Sequence, residues 1–294
     1  MFKLAHLTDP HLAPLPPPSL SDLIGKRAFG FLDWKRKRSA VHRTNVLDAL
    51  VRDLKKQPYD HLAVTGDLIN LGLTAEYTAA RAWLDALGAP DNVTLVPGNH
   101  DVYVRQTAAL AEHYWSAHMR GDELESFVFV RRRGNVALIG LSSAVPTPPI
   151  IAIGHVGKEQ LAQLGSLLKT IGQEGLFRVV MIHHPPTSRL KRYHKRLTDG
   201  PALRAVLRER GAELLVHGHD HVRRVTWLEG PNGGIPAIGA PSASATPHGR
   251  NEPAAYHLYE IDGKAGAWRS MLVVRGYTHG SNDIGEIGRI ALAG

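Results

Sequence analysis

Six short aliphatic stretches, most of which end abruptly in Asp, Asn or His, constrain the fold of this chain more than any other feature. Each has the length and the aliphatic content of a strand that is buried on both faces. The stretches are FKLAHLTD (2–9), DHLAVTGD (60–67), NVTLVPGNHD (92–101), NVALIGLSS (135–143), FRVVMIHHPP (177–186) and AELLVHGHDH (212–221). They predict a sheet whose strands carry polar side chains at one end.

Amphipathic helical patterns separate several of these strands. Apolar residues recur at i, i+3 and i+4 in residues 45–57, 74–88, 158–172 and 199–211. Strands that alternate with helices are typical of an α/β layered domain. Residues 223–278 contain strand patterns and turn signals but no helical pattern. This region predicts antiparallel strands that complete a second sheet.

The length and composition fit a globular protein of one large domain or two smaller ones. The chain has 294 residues, of which 43% are hydrophobic and 21% charged. The lack of cysteine excludes disulfides and thiolate metal sites, and it favours a reducing, cytoplasmic location. The start, MFKLAHLTD, lacks the pattern of a signal peptide. The apolar stretch 136–154 contains three prolines and does not fit a membrane span.

The net charge of +8 favours anionic partners such as phosphates, nucleic acid or an acidic membrane surface. The basic residues concentrate at 35–38, 131–133 and 191–196. Each cluster taken singly fits a solvated basic surface equally well. The chain also has 17 histidines, a high number that calls for an explanation.

Histidines, carboxylates and one amide fall at the carboxyl ends of the predicted strands. In an open α/β sheet these ends face one shared crevice, so residues far apart in sequence meet there. The set is Asp9, His11, Asp67, Asn99, His100, His183, His184, His217, His219 and His221. Oxygen and imidazole ligands without thiols suit divalent Mn, Fe, Zn, Co or Ni. There are enough ligands for two ions, and two ions require a bridging anion, for which we choose Asp67.

The order of these residues resembles that of the calcineurin-like metallophosphoesterases. The blocks are Asp9-Pro10-His11, Gly66-Asp67, Gly98-Asn99-His100-Asp101, His183 and Gly218-His219-Asp220-His221. The resemblance implies an α/β fold, a four-layer α/β/β/α sandwich of two mixed sheets with flanking helices. We expect a single domain over 1–278, with 12–44 as a cap-like insertion and 279–294 as a C-terminal tail.

The resemblance also implies a role for each site residue. Asp9, His11 and His221 would hold one divalent ion. Asn99, His183 and His219 would hold the second, with Asp67 between the two. An activated hydroxide would then attack phosphorus. His100 would lie beside the leaving group as general acid or transition-state stabiliser, and Asp101 would hold its other ring nitrogen. A helix N-cap at Asp101 fits equally well.

The details of the blocks resemble the bacterial phosphodiesterase branch, which includes cyclic-nucleotide and glycerophosphodiester hydrolases. The blocks GDLINLG and GNHD lack the arginine and the glutamate of the Ser/Thr protein phosphatases, which argues against a phosphoprotein substrate. A nucleotide-sugar or lipid pyrophosphatase at the membrane surface, similar to UDP-diacylglucosamine hydrolases, is the alternative. A DNA exonuclease also shares the core pattern. A non-catalytic scaffold is disfavoured, because all seven ligand positions and His100 are present.

Two segments near the site are candidates for choosing the substrate. The insertion 12–44 begins next to His11, and its residues 29–38 combine aromatic and basic side chains. They could contact a nucleobase or a lipid, or they could simply pack on the domain. In the basic loop after His183 the candidate phosphate contacts are Arg189, Arg192 and His194. The remaining histidines, His42 among them, match no block and are interpreted as structural or surface residues.

Overall fold

A computed structural model describes residues 1–122, 128–187 and 190–293, without the side chains of 190–192 and 293. The helices are α1 (Lys26–Asp33), α2 (Ser39–Val41), α3 (Thr44–Leu54), α4 (Thr74–Leu87), α5 (Leu110–Trp115), α6 (Lys158–Gln173) and α7 (Gly200–Arg210). The strands are β1 (Phe2–Leu7), β2 (His61–Val64), β3 (Val93–Leu95), β4 (Phe129–Arg133), β5 (Val136–Gly140), β6 (Phe177–Met181), β7 (Leu214–His217), β8 (Arg224–Gly230), β9 (Gly233–Gly239), β10 (Ala255–Lys264), β11 (Ala267–Tyr277) and β12 (Ile284–Ala293).

The strands form two mixed sheets of six strands each. The first sheet has the order β12-β11-β10-β1-β2-β3, and the second has the order β4-β5-β6-β7-β9-β8. In the first sheet β1, β2 and β3 run parallel, and β10 lies antiparallel against β1. In the second sheet β5, β6, β7 and β9 run parallel, with β4 and β8 antiparallel at the edges.

The alternation of side chains along the strands produces the layers. On β5, Val136 and Leu138 pack into the core shared by both sheets, whereas Ala137 and Ile139 pack with the apolar faces of α6 and α7. Helices α3 and α4 pack into the shared core from the first sheet. The result is the four-layer α/β/β/α sandwich, so the predicted fold class is confirmed.

The C-terminal strands differ from the expectation in two ways. The region 223–278 does not complete one sheet: the β8–β9 hairpin lies at an edge of the second sheet, while β10 and β11 extend the first. Residues 279–294 are not a separate tail, because β12 pairs antiparallel with β11. Its apolar residues Ile284, Ile287 and Leu292 pack in or against the core, which fixes this edge strand in place.

The insertion 12–44 is largely helical where it approaches the strand ends. Helix α1 continues into a π-helical turn, Trp34–Arg38, and then into α2. The backbone N–H of His42 donates to the carbonyl of Arg38 at 2.8 Å, so these two residues lie one turn apart. The division of the chain into one domain with a cap remains a prediction.

Candidate metal centre

Two clusters of ligand-forming side chains lie where the strands of both sheets end. Ligand atoms of Asp9, His11, Asp67 and His221 lie within 4.8 Å of one another, and so do those of Asp67, His183 and His219. Asp67 belongs to both clusters, as expected of a bridging carboxylate. The clusters cross the interface between the sheets: the N–H of His219, after β7, donates to Asp9, after β1, at 3.0 Å.

The backbone bends sharply at most of these ligand positions. Asp9, His11, Asp67, His219 and His221 have φ angles of 50°, 39°, 54°, 68° and 55°. Positive φ is uncommon for residues other than glycine and costs free energy, so it persists where the surrounding structure holds it. These turns direct several side chains from adjacent strand ends toward one point.

Two glycines make this convergence possible. A Cβ at Gly218 would collide with the side chains of Thr8 and Asp9, and a Cβ at Gly98 would collide with Asp67. The backbones of the GNHD and GHDH blocks therefore pass directly against the carboxylates of the first two strand ends. A side chain at either glycine would push a ligand out of position.

The donor set fits divalent cations. Asn99 lies with its Oδ1 buried and, among the described residues, without a hydrogen-bond partner, and an amide oxygen is a good ligand for a hard cation. Burial lowers the pKa values of His11 and His219, which keeps their imidazoles neutral as metal ligation requires. Burial acts the same way on His183, but Asp67 at 3.4 Å outweighs it and raises the pKa to about 10. The Asp67 carboxylate thus attracts positive charge to the point where the clusters meet.

His100 lies beside the clusters with one ring nitrogen fixed. Its Nδ1 donates to the carbonyl oxygen of Asn70 at 2.6 Å, and its backbone N–H donates to Asp67 at 2.7 Å. The ring stacks on Tyr103 with centroids 5.2 Å apart. Burial and the nearby Arg38 lower the pKa of His100 to about 3, so the free site holds a neutral imidazole. Its Nε2 accepts a hydrogen bond from Arg38 at 3.0 Å.

Asp101 does not hold the ring of His100, and this prediction is wrong. Its buried carboxylate accepts backbone N–H bonds from Asp67 at 2.7 Å, Leu68 at 2.8 Å and Gly98 at 2.8 Å. These bonds tie the GD turn to the GNHD turn. The partner of His100 is instead the main-chain carbonyl of Asn70. Asp101 therefore positions Asp67. It is also not the helix N-cap that the sequence allowed, because α5 begins only at Leu110.

A cavity of about 660 Å³ opens over the clusters. Its walls include His11, Asp67, Asn99, His100, His219 and His221, together with His194 from the basic loop. Of the three predicted substrate contacts, His194 thus lines the cavity. Arg189 lies outside the described residues, and the side chain of Arg192 is also not described.

The insertion supplies residues that the sequence interpretation missed. His42 was interpreted as structural or surface, but its ring lies 4.5 Å from that of His11 and it forms a possible ligand cluster with His11 and His221. Lys26, Phe29 and Arg38 also line the cavity. The four-residue spacing of Arg38 and His42 could have indicated that both enter the site, because residues four apart share one face of a helix. By contrast His217 lies buried within β7, and Asp220 pairs with Arg224, as a packing residue and a turn residue should.

Comparisons with known proteins agree with this geometry. The calcineurin-like phosphoesterase family model matches residues 2–223. A probable cyclic nucleotide phosphodiesterase of Synechococcus sp. is 27% identical over 76% of this chain and 80% of its own. A glycerophosphodiester phosphodiesterase of Enterobacter lignolyticus is 32% identical, over 33% of this chain and 29% of its own. The crystal structure of a dimetal phosphatase from Danio rerio superimposes with a TM-score of 0.65 and 14% identity, covering 99% of this chain and 98% of that one.

The chain belongs to the calcineurin-like phosphoesterase family. It is a metal-dependent phosphoester hydrolase with a dinuclear centre built from its His and Asp cluster. Among the residues that the structure describes, no helix has the length and apolar character needed to cross a membrane.

Proposed function

We propose that this enzyme hydrolyses phosphodiester bonds of small molecules. The observation that carries the proposal is the pair of ligand clusters that share Asp67 at the floor of an open cavity. The likeness to a probable cyclic nucleotide phosphodiesterase along most of both chains supports a diester substrate. A volume of about 660 Å³ suits a ligand of nucleotide size.

The ligand sets follow the two clusters. Asp9, His11 and His221 hold one ion, with Asp67 shared, and His183 and His219 hold the other together with Asn99. Nitrogen and oxygen donors without thiolates favour Mn²⁺, Fe²⁺ or Zn²⁺. Two such ions, when bound, would supply an activated water and would offset the negative charge of a phosphoryl group. Asp101 fixes the turn that carries Asp67.

His100 acts on the leaving-group side of the substrate, as general acid or transition-state stabiliser. Its Nδ1 is engaged by Asn70, so Nε2 is the nitrogen that faces the cavity. In the neutral ring Nε2 carries no proton, so it can act as general acid only as the imidazolium, a form that an anionic phosphate bound beside it favours. Fixing one nitrogen by a backbone carbonyl also fixes the orientation of the ring.

A hydrolysis panel on metal-reconstituted protein tests this function. The substrates are an aryl phosphodiester, an aryl phosphomonoester, cyclic nucleotides, glycerophosphodiesters, UDP-diacylglucosamine and single-stranded DNA. We expect turnover of the aryl diester and of at least one small-molecule diester well above that of the monoester. Protein that binds both ions yet leaves every diester and pyrophosphate intact would refute the proposal. Preferential cleavage of single-stranded DNA would assign it to the exonucleases instead.

Hydrolysis of a lipid-linked pyrophosphate at an anionic membrane surface is a second candidate. Leu20, Ile24, Phe29 and Ile150 are between 59% and 91% exposed, and Phe29 and Ile150 line the cavity mouth. Exposed apolar side chains beside the basic residues 35–37 are typical of an interfacial segment. Sedimentation with vesicles of phosphatidylglycerol and of phosphatidylcholine tests it: binding to the anionic vesicles alone, lost in Phe29→Ser, supports this candidate. A cytoplasmic location remains a prediction from the lack of cysteine.

A further inference from the structure

The insertion brings a single guanidinium into the metal centre. The basic residues 35–37 of the π-helical turn are exposed, whereas Arg38 is half-buried and faces the cavity. A π-helical turn is rare and displaces the residues that follow it around the helix axis, often at functional sites. Here the turn ends at Arg38, one helical turn before the site residue His42.

Arg38 lies between the ligand clusters and the leaving-group histidine. Its Nη2 is 2.8 Å from Nδ1 of His11, and its Nη1 is 3.0 Å from Nε2 of His100. Nδ1 of His11 also lies 3.2 Å from the carbonyl oxygen of Ile69. The guanidinium therefore spans the space between a ligand of one cluster and the residue that faces the leaving group.

Among the described residues, the carboxylates of Asp67, Asp33 and Asp9 attract the charge of Arg38 only from a distance. Within the described part of the chain, no carboxylate lies within 4.0 Å of its guanidinium nitrogens, and its hydrogen-bond partners are two imidazoles. A desolvated guanidinium is stabilised by an anion, and its planar fork of N–H donors matches the oxygens of a phosphate. Hydrogen bonds to neutral imidazoles supply no negative charge, so the guanidinium is still able to bind an anion.

We propose that Arg38 binds a non-bridging oxygen of the scissile phosphate and stabilises the charge that develops there, which makes it a catalytic residue. The role rests on the proposed phosphoesterase site and gives the insertion a chemical function beyond covering the cavity. The GDLINLG block carries no arginine, so this cation reaches the phosphate from a different segment of the chain. His42 anchors the end of the helical segment that carries Arg38: its backbone N–H donates to the carbonyl of Arg38, and its Nδ1 lies 2.8 Å from the hydroxyl oxygen of Ser244.

Phosphate binding and turnover of Arg38 variants test the proposal. The experiment compares wild type, Arg38→Ala, Arg38→Gln and Arg38→Lys, each loaded with Mn²⁺, and measures metal content, the Kd for inorganic phosphate by calorimetry, and kcat/KM for an aryl diester. Removing one preorganised donor to a developing anion lowers kcat by about 10²–10³-fold. We expect that loss in Arg38→Ala and Arg38→Gln, at least tenfold weaker phosphate binding, unchanged metal content, and partial recovery in Arg38→Lys.

The matched control is Arg36→Ala, which removes the same charge from an exposed position of the same turn. It should leave both phosphate affinity and turnover within about twofold of wild type, which separates local contact from general electrostatic attraction. The proposal is overturned if the Arg38 variants bind phosphate within threefold of wild type, or if they lose metal. If wild type binds phosphate through Arg38 but cleaves no diester, the proposed function and the catalytic role fail, while the assignment of Arg38 as a phosphate-binding residue stands.

Discussion

His100 illustrates how single residues at this site are set by their neighbours. The residue follows Asn99 directly, yet the two side chains serve different purposes because the turn splays them apart. Asn99 has a buried amide oxygen suited to a cation, whereas the His100 ring leans on Tyr103 and donates to Asn70. A main-chain carbonyl is a partner that no sequence motif displays, which is why Asp101 was the expected but incorrect one.

Replacing His100 separates proton transfer from metal binding. We expect His100→Ala to retain both ions, because the ring contacts the backbone of Asn70 and the side chain of Arg38 rather than completing a ligand cluster. Turnover of an aryl diester should fall by about 10²–10⁴-fold, the range for loss of a general acid. Metal analysis and steady-state kinetics on the same preparation check this. Loss of an ion would show that His100 is a ligand.

Gly218 offers a second test at this scale. A Cβ there would collide with Thr8 and Asp9, both of which are buried. Gly218→Ala should therefore destabilise the fold by about 1–3 kcal/mol, as overpacking does, and weaken metal binding through displacement of Asp9. Urea unfolding and metal titration measure the two effects. Gly285→Ala is the control, since nothing lies within 4 Å of a Cβ there and its φ is not positive. Normal metal affinity in Gly218→Ala would contradict the argument.

At the scale of elements, two of the three basic clusters turn out to have different roles. On β4, Arg131 is buried and donates to the carbonyls of Arg120 at 2.7 Å, Ala117 at 2.7 Å and Val93 at 3.1 Å, so it cross-links the protein instead of binding a partner. In the insertion, Arg38 is half-buried in the cavity wall, Lys37 lines the cavity but is largely exposed, and Lys35 and Arg36 face solvent. Composition alone cannot distinguish these cases, because burial is decided by the packing of whole elements.

Helix α3 is attached to the first sheet by a charged network. Asp53 on α3 accepts hydrogen bonds from Arg275 at 2.9 Å to both carboxylate oxygens and from the hydroxyl of Tyr256 at 2.6 Å. Burial raises the pKa of Asp53, but these bonds outweigh it and hold the pKa below its usual range. The network therefore stabilises the fold above the ordinary carboxyl pKa, and the contribution is lost as the pH falls through the lower, native value.

Asp53→Asn should lower the free energy of unfolding at neutral pH by about 1–3 kcal/mol, the range for hydrogen bonds to charged groups. The difference in the free energy of unfolding between Asp53→Asn and wild type should shrink as the pH falls below about 4, where the carboxyl of the unfolded chain is protonated. Urea unfolding between pH 3 and 7 checks both statements. Asp48→Asn, which changes an exposed carboxylate on the same helix, is the control. A difference that stays constant with pH would exclude the ionic network as its cause.

At the scale of the whole molecule, the metal centre joins the two sheets. Asp9, Asp67 and Asn99 follow strands of the first sheet, while His183 and His219 follow strands of the second. Ions held here bind groups from both halves of the sandwich at once. A folded protein that binds an ion which the unfolded chain does not bind is stabilised by mass action.

Removal of the metals should therefore lower the thermal stability of the entire fold. At an ion concentration 100 times Kd the stabilisation is about 2.7 kcal/mol per site, which corresponds to a rise in Tm of roughly 5–10 °C. Thermal unfolding with excess chelator, and with Mn²⁺ or Zn²⁺ restored, measures the shift. Asp67→Asn, which alters the residue common to both clusters, should show a much smaller metal-dependent shift. An unchanged Tm after complete chelation would show that the ions do not couple the sheets.

The strands and the ligand types could be read from the chain because both depend on local patterns. An aliphatic run fixes a strand, and the polar residue that follows it must lie at the strand end, so Asp9, Asp67, Asn99, His183 and His219 could be predicted to meet. Each further strand that ended in such polar residues made a chance arrangement less plausible. Helices α3, α4, α6 and α7 were predicted to within a few residues for the same reason, since their apolar spacing is local, whereas α1, α2 and α5 were not predicted.

The sequence by itself thus determined the two-sheet α/β class, the edge on which the site lies and the chemistry of its ligands. Tertiary structure decided which sheet each C-terminal strand joins, that Asp101 binds backbone amides, and that Arg38 and His42 enter the site from the insertion. The physical reason is that these features depend on contacts between segments far apart in the chain. Such contacts form only once the sheets, the insertion and the strand-end turns have packed together.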